Sequence, residues 1–146
     1  MILQLQSDQV SAMWDAIKFA ACGANGIKQD RAQIFLNNLL GNIMAGKVQV
    51  WCSFLDGPEG RDIHAFGITC VQREEVLGMD YLLMHSLYSY KALTIELMHE
   101  AMEAFINFAR ENSCFKFVAM TNDERLLKLY THLGMKHEVY VWSKDI

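Results

Sequence analysis

The 146-residue sequence predicts a mixed α/β (α+β) domain, with a central sheet covered by helices on both faces. Three observations predict it. Segments with period-two hydrophobicity alternate with segments of helical period. Two β-α-β units toward the C-terminal end require parallel pairing, whereas a Gly-, Pro- and Asp-rich turn between two strands requires antiparallel pairing. The order along the chain is β-α-α-β-β-β-α-β-α-β, in a single domain spanning 1–146.

"MILQLQ" alternates apolar and polar residues and reads as a strand, after which Ser7 or Asp8 offers an N-cap. In "QVSAMWDAIKFAAC", Val10, Met13, Trp14, Ile17 and Ala21 recur at helical spacing. "GANGIKQD" ends that helix, and "RAQIFLNNLLGNIMAG" carries a second one up to Gly46, a suitable C-cap. "VQVWCSFL" and "IHAFGITCVQRE" then alternate with period two around "DGPEGRD", predicting a hairpin with a seven-residue turn. "YLLMHSLY" is apolar enough for a strand covered on both faces, and a long amphipathic helix follows. On that helix Leu93, Leu97, Ala101, Phe105 and Phe108 form one stripe, with Glu96, Glu100, Glu103, Asn107 and Glu111 mostly opposite. "FKFVAM" is a buried strand, Thr121 and Glu124 predict a capping box for "ERLLKLYTHL", Gly134 ends that helix, and "KHEVYVWSK" returns to strand alternation.

Hydrophobic residues make up 52%, charged residues 21%, and Pro58 is the only proline, which excludes a disordered or linker-rich chain. A net charge of −4 with scattered Lys and Arg points away from nucleic acid. No apolar run reaches the roughly 20 residues of a membrane span and no signal peptide is visible, so a cytoplasmic protein is expected. Cys22, Cys52, Cys70 and Cys114 lie far apart without a CxxC pair, so buried free thiols are expected and no metal site. His64 and His99 read as exposed, and His132 and His137 lack ligand spacing.

The element order, together with "LYTHLGM" at 129–135 and the terminal "EVYVW", resembles the GCN5-related N-acetyltransferase (GNAT) superfamily over the whole chain. Members commonly carry an Asn at the end of the fifth strand, a helix ending in Leu-Tyr-x-x-Leu-Gly-Phe, and a last strand. Here Asn122 lies eight residues before Tyr130, where seven is common, and Asp123 holds the seven position, so either one matches. The resemblance implies a sheet splayed between "YLLMHSLY" and "FKFVAM", with acetyl-CoA lying in the splay. It also implies an amine substrate, a small molecule or a peptide, and the homodimer common among members.

The family's Gln/Arg-x-x-Gly-x-Gly/Ala motif brings bare backbone N–H groups and a helix N-terminus to the cofactor pyrophosphate. Its positions fall here on Leu93, Glu96 and Met98, and none of the three matches. A substitute would be Ser89 capping an earlier helix start, with Lys91 meeting the anion. The cofactor set implied by the resemblance is therefore Leu87, Tyr88, Ser89, Lys91 and Asn122, with the backbone of 87–89 holding the pantetheine arm.

Acetyl transfer needs a polarised carbonyl, a deprotonated amine and an acid for the leaving thiolate. Tyr130 matches the family tyrosine that serves as the acid. The base is His85, whose intrinsic pKa suits the task, or Asp80 or Glu75. No independent catalytic signature such as GxSxG, a P-loop or HExxH is present. The competing expectation is a non-catalytic copy of the fold that has lost the cofactor loop and acts as a binding or assembly component. Small divergent copies of that kind occur in bacteria and their phages.

Overall fold

The computed structural model describes residues 1–138, 143 and 144. One five-stranded sheet, in the order β1-β2-β3-β4-β5, organises them. Its strands are β1 (Ile2–Gln4), β2 (Val48–Gly57), β3 (Gly60–Glu74), β4 (Met79–Ser89) and β5 (Phe117–Ala119). The first four pair antiparallel, and β5 lies parallel to β4, as a mixed sheet requires. The terminal strand expected in "KHEVYVWSK" lies largely outside the described residues.

Alternation along β2 sorts the core into two layers. Val50 and Cys52 join Phe66 and Ile68 under α2 (Trp14–Asn25) and α3 (Gln29–Met44). Trp51 instead joins Leu82 and Met84 under α4 (Ile95–Glu111). Phe105 of α4 meets Trp51 edge-on at 5.1 Å and stacks on Phe117 at 5.6 Å, so one side chain ties β2, β5 and α4 together. Burying such a ring contributes about 1.5–3 kcal/mol, and aromatic pairing adds about 0.5–1.5. The polar groups of this layer are mostly paired: Trp51 Nε1 donates to Thr69 Oγ1 at 2.9 Å, and Thr69 donates to Gln49 at 3.1 Å.

Several local expectations change. The first helix is two: α1 (Ser7–Ala12) stops at Met13, and Gln6, not Ser7 or Asp8, precedes it, its N–H bonded to Gln9 Oε1 at 2.8 Å. The predicted seven-residue hairpin turn shrinks to Pro58–Glu59, because Gly57 already pairs with Gly60. Ladder bonds carry both strands through residues whose composition reads as loop. Asp123, not Thr121, caps α5 (Glu124–His132), accepting from Arg125 N at 2.8 Å while Thr121 Oγ1 accepts from Asp123 N at 3.1 Å. All four cysteines are free, but only Cys52 and Cys70 are buried; Cys22 and Cys114 are half-buried. The α4 core line runs through Met98, Ala101, Phe105 and Ala109, with the five predicted outward residues exposed. Among the described residues no helix is long and apolar enough to cross a membrane.

Two register shifts set two histidines apart from the rest of the sheet. Ser53 pairs with Ala65 but Phe54 with Ile63, leaving His64 as the extra residue of a bulge in β3. Ile68 pairs with Ser86 but Thr69 with Met84, leaving His85 as the extra residue in β4. Bulges re-aim side chains and bend strands, so both histidines depart from simple alternation.

Candidate functional site

β4 and β5 pair at Leu82–Phe117, Leu83–Val118 and Met84–Ala119 and then part, while β4 continues to Ser89. The strands therefore splay beyond Met84. Thr94 starts α4 by accepting from Leu97 N at 3.2 Å, so Tyr90–Thr94 forms an irregular connection over the end of the splay.

Under this connection lies an apolar cavity of about 20 Å³, lined among others by Ser53, Leu87, Leu93, Met98, Phe105 and Tyr130. That is space for about one water. Met98 is 4% exposed and Tyr130 9%, so side chains fill the mouth of the splay from both helices. Burial pushes the Tyr130 phenol above its usual value.

The connection is pinned from below. His64, expected at the surface, is 3% exposed, and its Nε2 lies 3.0 Å from the Ala92 carbonyl oxygen. Only an N–H satisfies a carbonyl, so Nε2 carries the proton in this contact. Tyr90 N donates to the His64 carbonyl at 2.9 Å. His64 Nδ1 and the Ser53 hydroxyl are buried without a hydrogen-bond partner among the described residues.

No family model and no curated protein matches this sequence. Solved structures do match. A ribosomal-protein-alanine N-acetyltransferase from Brucella melitensis biovar Abortus 2308 aligns at TM-score 0.70 and 15% identity, covering 100% of this chain and 99% of that one. An aminoglycoside acetyltransferase from an uncultured soil metagenomic sample aligns at TM-score 0.72 and 14% identity, covering 100% and 97%. A predicted acetyltransferase from Clostridium acetobutylicum, solved with acetyl-CoA, aligns at TM-score 0.73 and 10% identity, covering 99% and 95%. The fold is that of the GCN5-related N-acetyltransferases. At such identities the likeness is one of fold, and activity has to be argued from the residues of the cleft.

Within the GNAT fold, the sequence-expected site residues disperse. Tyr130 and Leu87 share the cavity. His85 is exposed, and its Nδ1 lies 2.7 Å from Ser86 Oγ, which accepts from Asn25 of α2 at 2.8 Å. His85 therefore sits toward the α2–α3 layer and is not brought to Tyr130. Asp80 stands seven positions before Leu87 on β4, about 23 Å away at strand rise, and pairs with Arg73 at 3.2 Å. Glu75 is farther still, exposed at the β3–β4 turn.

The cofactor set separates in the same way. Tyr88 packs against Gly23 on the α2 side. Ser89 belongs to β4 and donates its hydroxyl to the Lys91 carbonyl, so it does not cap α4, which begins only at Ile95. Lys91 lies 3.6 Å from Asp62. Asn122 is exposed, and Asp123 is committed to capping α5.

An acetyl-CoA molecule does not fit these residues. The first turn of α4 carries the Glu96 carboxylate where a pyrophosphate needs bare N–H groups, and Thr94 already occupies the Leu97 N–H. The inner cleft is lined by Leu87, Leu93, Met98 and Tyr130, and the free space among its lining residues is about 20 Å³. Ser53 and His64 are not among the residues that the sequence singles out for the site. Ser53 faces the cleft by alternation with Trp51 on β2, whereas His64 is the extra residue of a register shift that no local pattern announces.

Proposed function

We propose that this chain is a binding component built on the GNAT fold, with its acetyl-CoA cleft closed. The observation that carries the reading is the filled splay: side chains from β4, α4 and α5 leave about 20 Å³ where a cofactor arm would lie. Loss of the glycine positions at Leu93, Glu96 and Met98 supports it independently, because side chains there keep an anion from the backbone. The chain is an N-acetyltransferase-like protein in fold, with its binding role taking the place of transfer.

A second reading, acetyl transfer to a small-molecule or peptide amine, is favoured by one observation. The Tyr130 side chain lines the cavity at the end of the splay, as an acid for a leaving thiolate would.

Calorimetric titration with acetyl-CoA and with CoA at low salt separates the two. The first reading expects no heat of binding from the parent and a gain of affinity in the Glu96→Gly, Met98→Gly variant. Micromolar binding by the parent, together with amine acetylation that Tyr130→Phe abolishes, would establish the second.

A further inference from the structure

A second and much larger space, an open groove of about 760 Å³, lies between α3 and the β3–β4 surface and continues past the start of β2 toward Phe108 of α4. Its size suits a small molecule. Phe35, Asn38, Leu39 and Asn42 line it from α3, at the three- and four-residue spacing of one helix face. Phe35 and Leu39 join the core, whereas Asn38 and Asn42 are exposed and their side-chain amides have no partner among the described residues.

The sheet supplies a further donor. The extra residue in β4 lets His85 and Ser86 both turn toward the α2–α3 layer, where His85 lines the groove. The buried Ser86 hydroxyl accepts from Asn25, so its own proton goes to His85 Nδ1 at 2.7 Å. In the neutral ring the remaining proton is then on Nε2, and the exposed imidazole offers a fixed N–H.

Lys47 is the only charged side chain of the lining, and it has no ion-pair partner among the described residues. Its backbone N–H donates to the Asn42 carbonyl at 2.9 Å, which keeps the two residues together. No carboxylate lines the groove, although the chain as a whole carries a net charge of −4. An anion there meets one opposite charge and no like charge, and a cation meets the reverse.

We propose that this groove binds a small organic anion, its head paired with Lys47 and the Asn42 amide and its apolar body over Phe35, Leu39 and Ile68. His85 donates from the sheet side. The groove lies on the opposite face of the sheet from Tyr130, so acetyl-CoA binding would overturn the closed-cleft reading and leave this inference standing.

The test titrates the full chain with benzoate, benzamide and benzamidinium, three probes of nearly one shape that differ in charge. The side-chain amide signals of Asn38 and Asn42 and the ring signals of His85 report occupancy. Benzoate is expected to shift them saturably, with affinity about five-fold above that of benzamide, as one exposed ion pair provides, and with benzamidinium weakest. Lys47→Met is expected to bring benzoate down to the level of benzamide. Absence of saturable shifts with benzoate overturns the proposal, as does equal or tighter binding of benzamide or benzamidinium by the parent. A preference for benzoate that survives in Lys47→Met does the same. The comparison among probes needs no variant, so a folding defect in Lys47→Met leaves the decision intact.

Discussion

His64 of β3 holds the Ala92 carbonyl at 3.0 Å and so ties the middle of the sheet to the connection that covers the splay. This contact spans 28 residues of sequence and anchors the segment just ahead of Thr94, where α4 begins. Replacing His64 with Ala should cost about 1 kcal/mol of stability and raise hydrogen exchange around residues 91–98 about five-fold. Unchanged exchange there, with a fall in global stability only, would show that His64 is packing and not a tether.

The Tyr130 phenol is raised above its usual value of 10.0 by burial. For a group whose folded value is raised, the stability contribution is complete below the unfolded value and is lost as pH rises through the folded one. Tyr130→Phe should therefore stay within about 1 kcal/mol of the parent at neutral pH and lose less stability than the parent above pH 10. Denaturant unfolding across the alkaline range measures the difference, and parallel curves would contradict it.

Asp123 sits at the start of α5, where Arg125 holds its carboxyl at about 2, below the usual 3.8. With a depressed folded value, its contribution is present above the unfolded value and is lost as pH falls through about 2. Asp123→Asn should lower the melting temperature at pH 7, and the gap to the parent should narrow from about pH 3.8 downward. Thermal melts at stepped pH report it; a gap that widens in acid would reverse the assignment.

Gly23 faces the Tyr88 ring, and a Cβ there would come within 2.8 Å of Cε2. The ring is hemmed by Phe19 at 5.7 Å and Tyr90 at 5.2 Å, so it has little room to retreat. Overpacking of about 1–3 kcal/mol then outweighs the helix-propensity gain of about 0.5–1 kcal/mol for Gly23→Ala. Chemical denaturation should show net destabilisation, relieved when Tyr88→Leu is added. A stabilised single variant would mean that the ring gives way.

Cys52 is buried beneath α2, and burial raises its thiol to about 12. Its thiolate fraction at pH 8 is on the order of 10⁻⁴. A thiol reagent applied to the native protein should leave Cys52 unmodified while labelling the half-buried Cys22, with Cys114, whose thiol is also raised by burial and by Asp80, reacting more slowly than Cys22. Peptide mapping reads this directly, and rapid native labelling of Cys52 would refute its burial.

The sequence by itself determined the element types and nearly all their order, because hydrophobic period is a local property. Leu97, Ala101 and Phe105 recur along one side of a helix whatever lies against them, and Val50 and Cys52 alternate with Trp51 in any sheet. It also determined that no glycine stands at Leu93, Glu96 or Met98, a matter of residue identity. Capping was less legible, since Thr121 and Asp123 can both cap a helix and only the backbone path chose between them.

Only the tertiary structure decided the content of the cleft. Which side chains enter the splay depends on where β4 leaves β5 and where α4 begins, both set by contacts between segments far apart in sequence. The single-residue bulges at His64 and His85 make the point most clearly. A slip of one residue changes which side of the sheet a group faces, and it brought His64 to Ala92 while leaving His85 with Ser86, away from Tyr130.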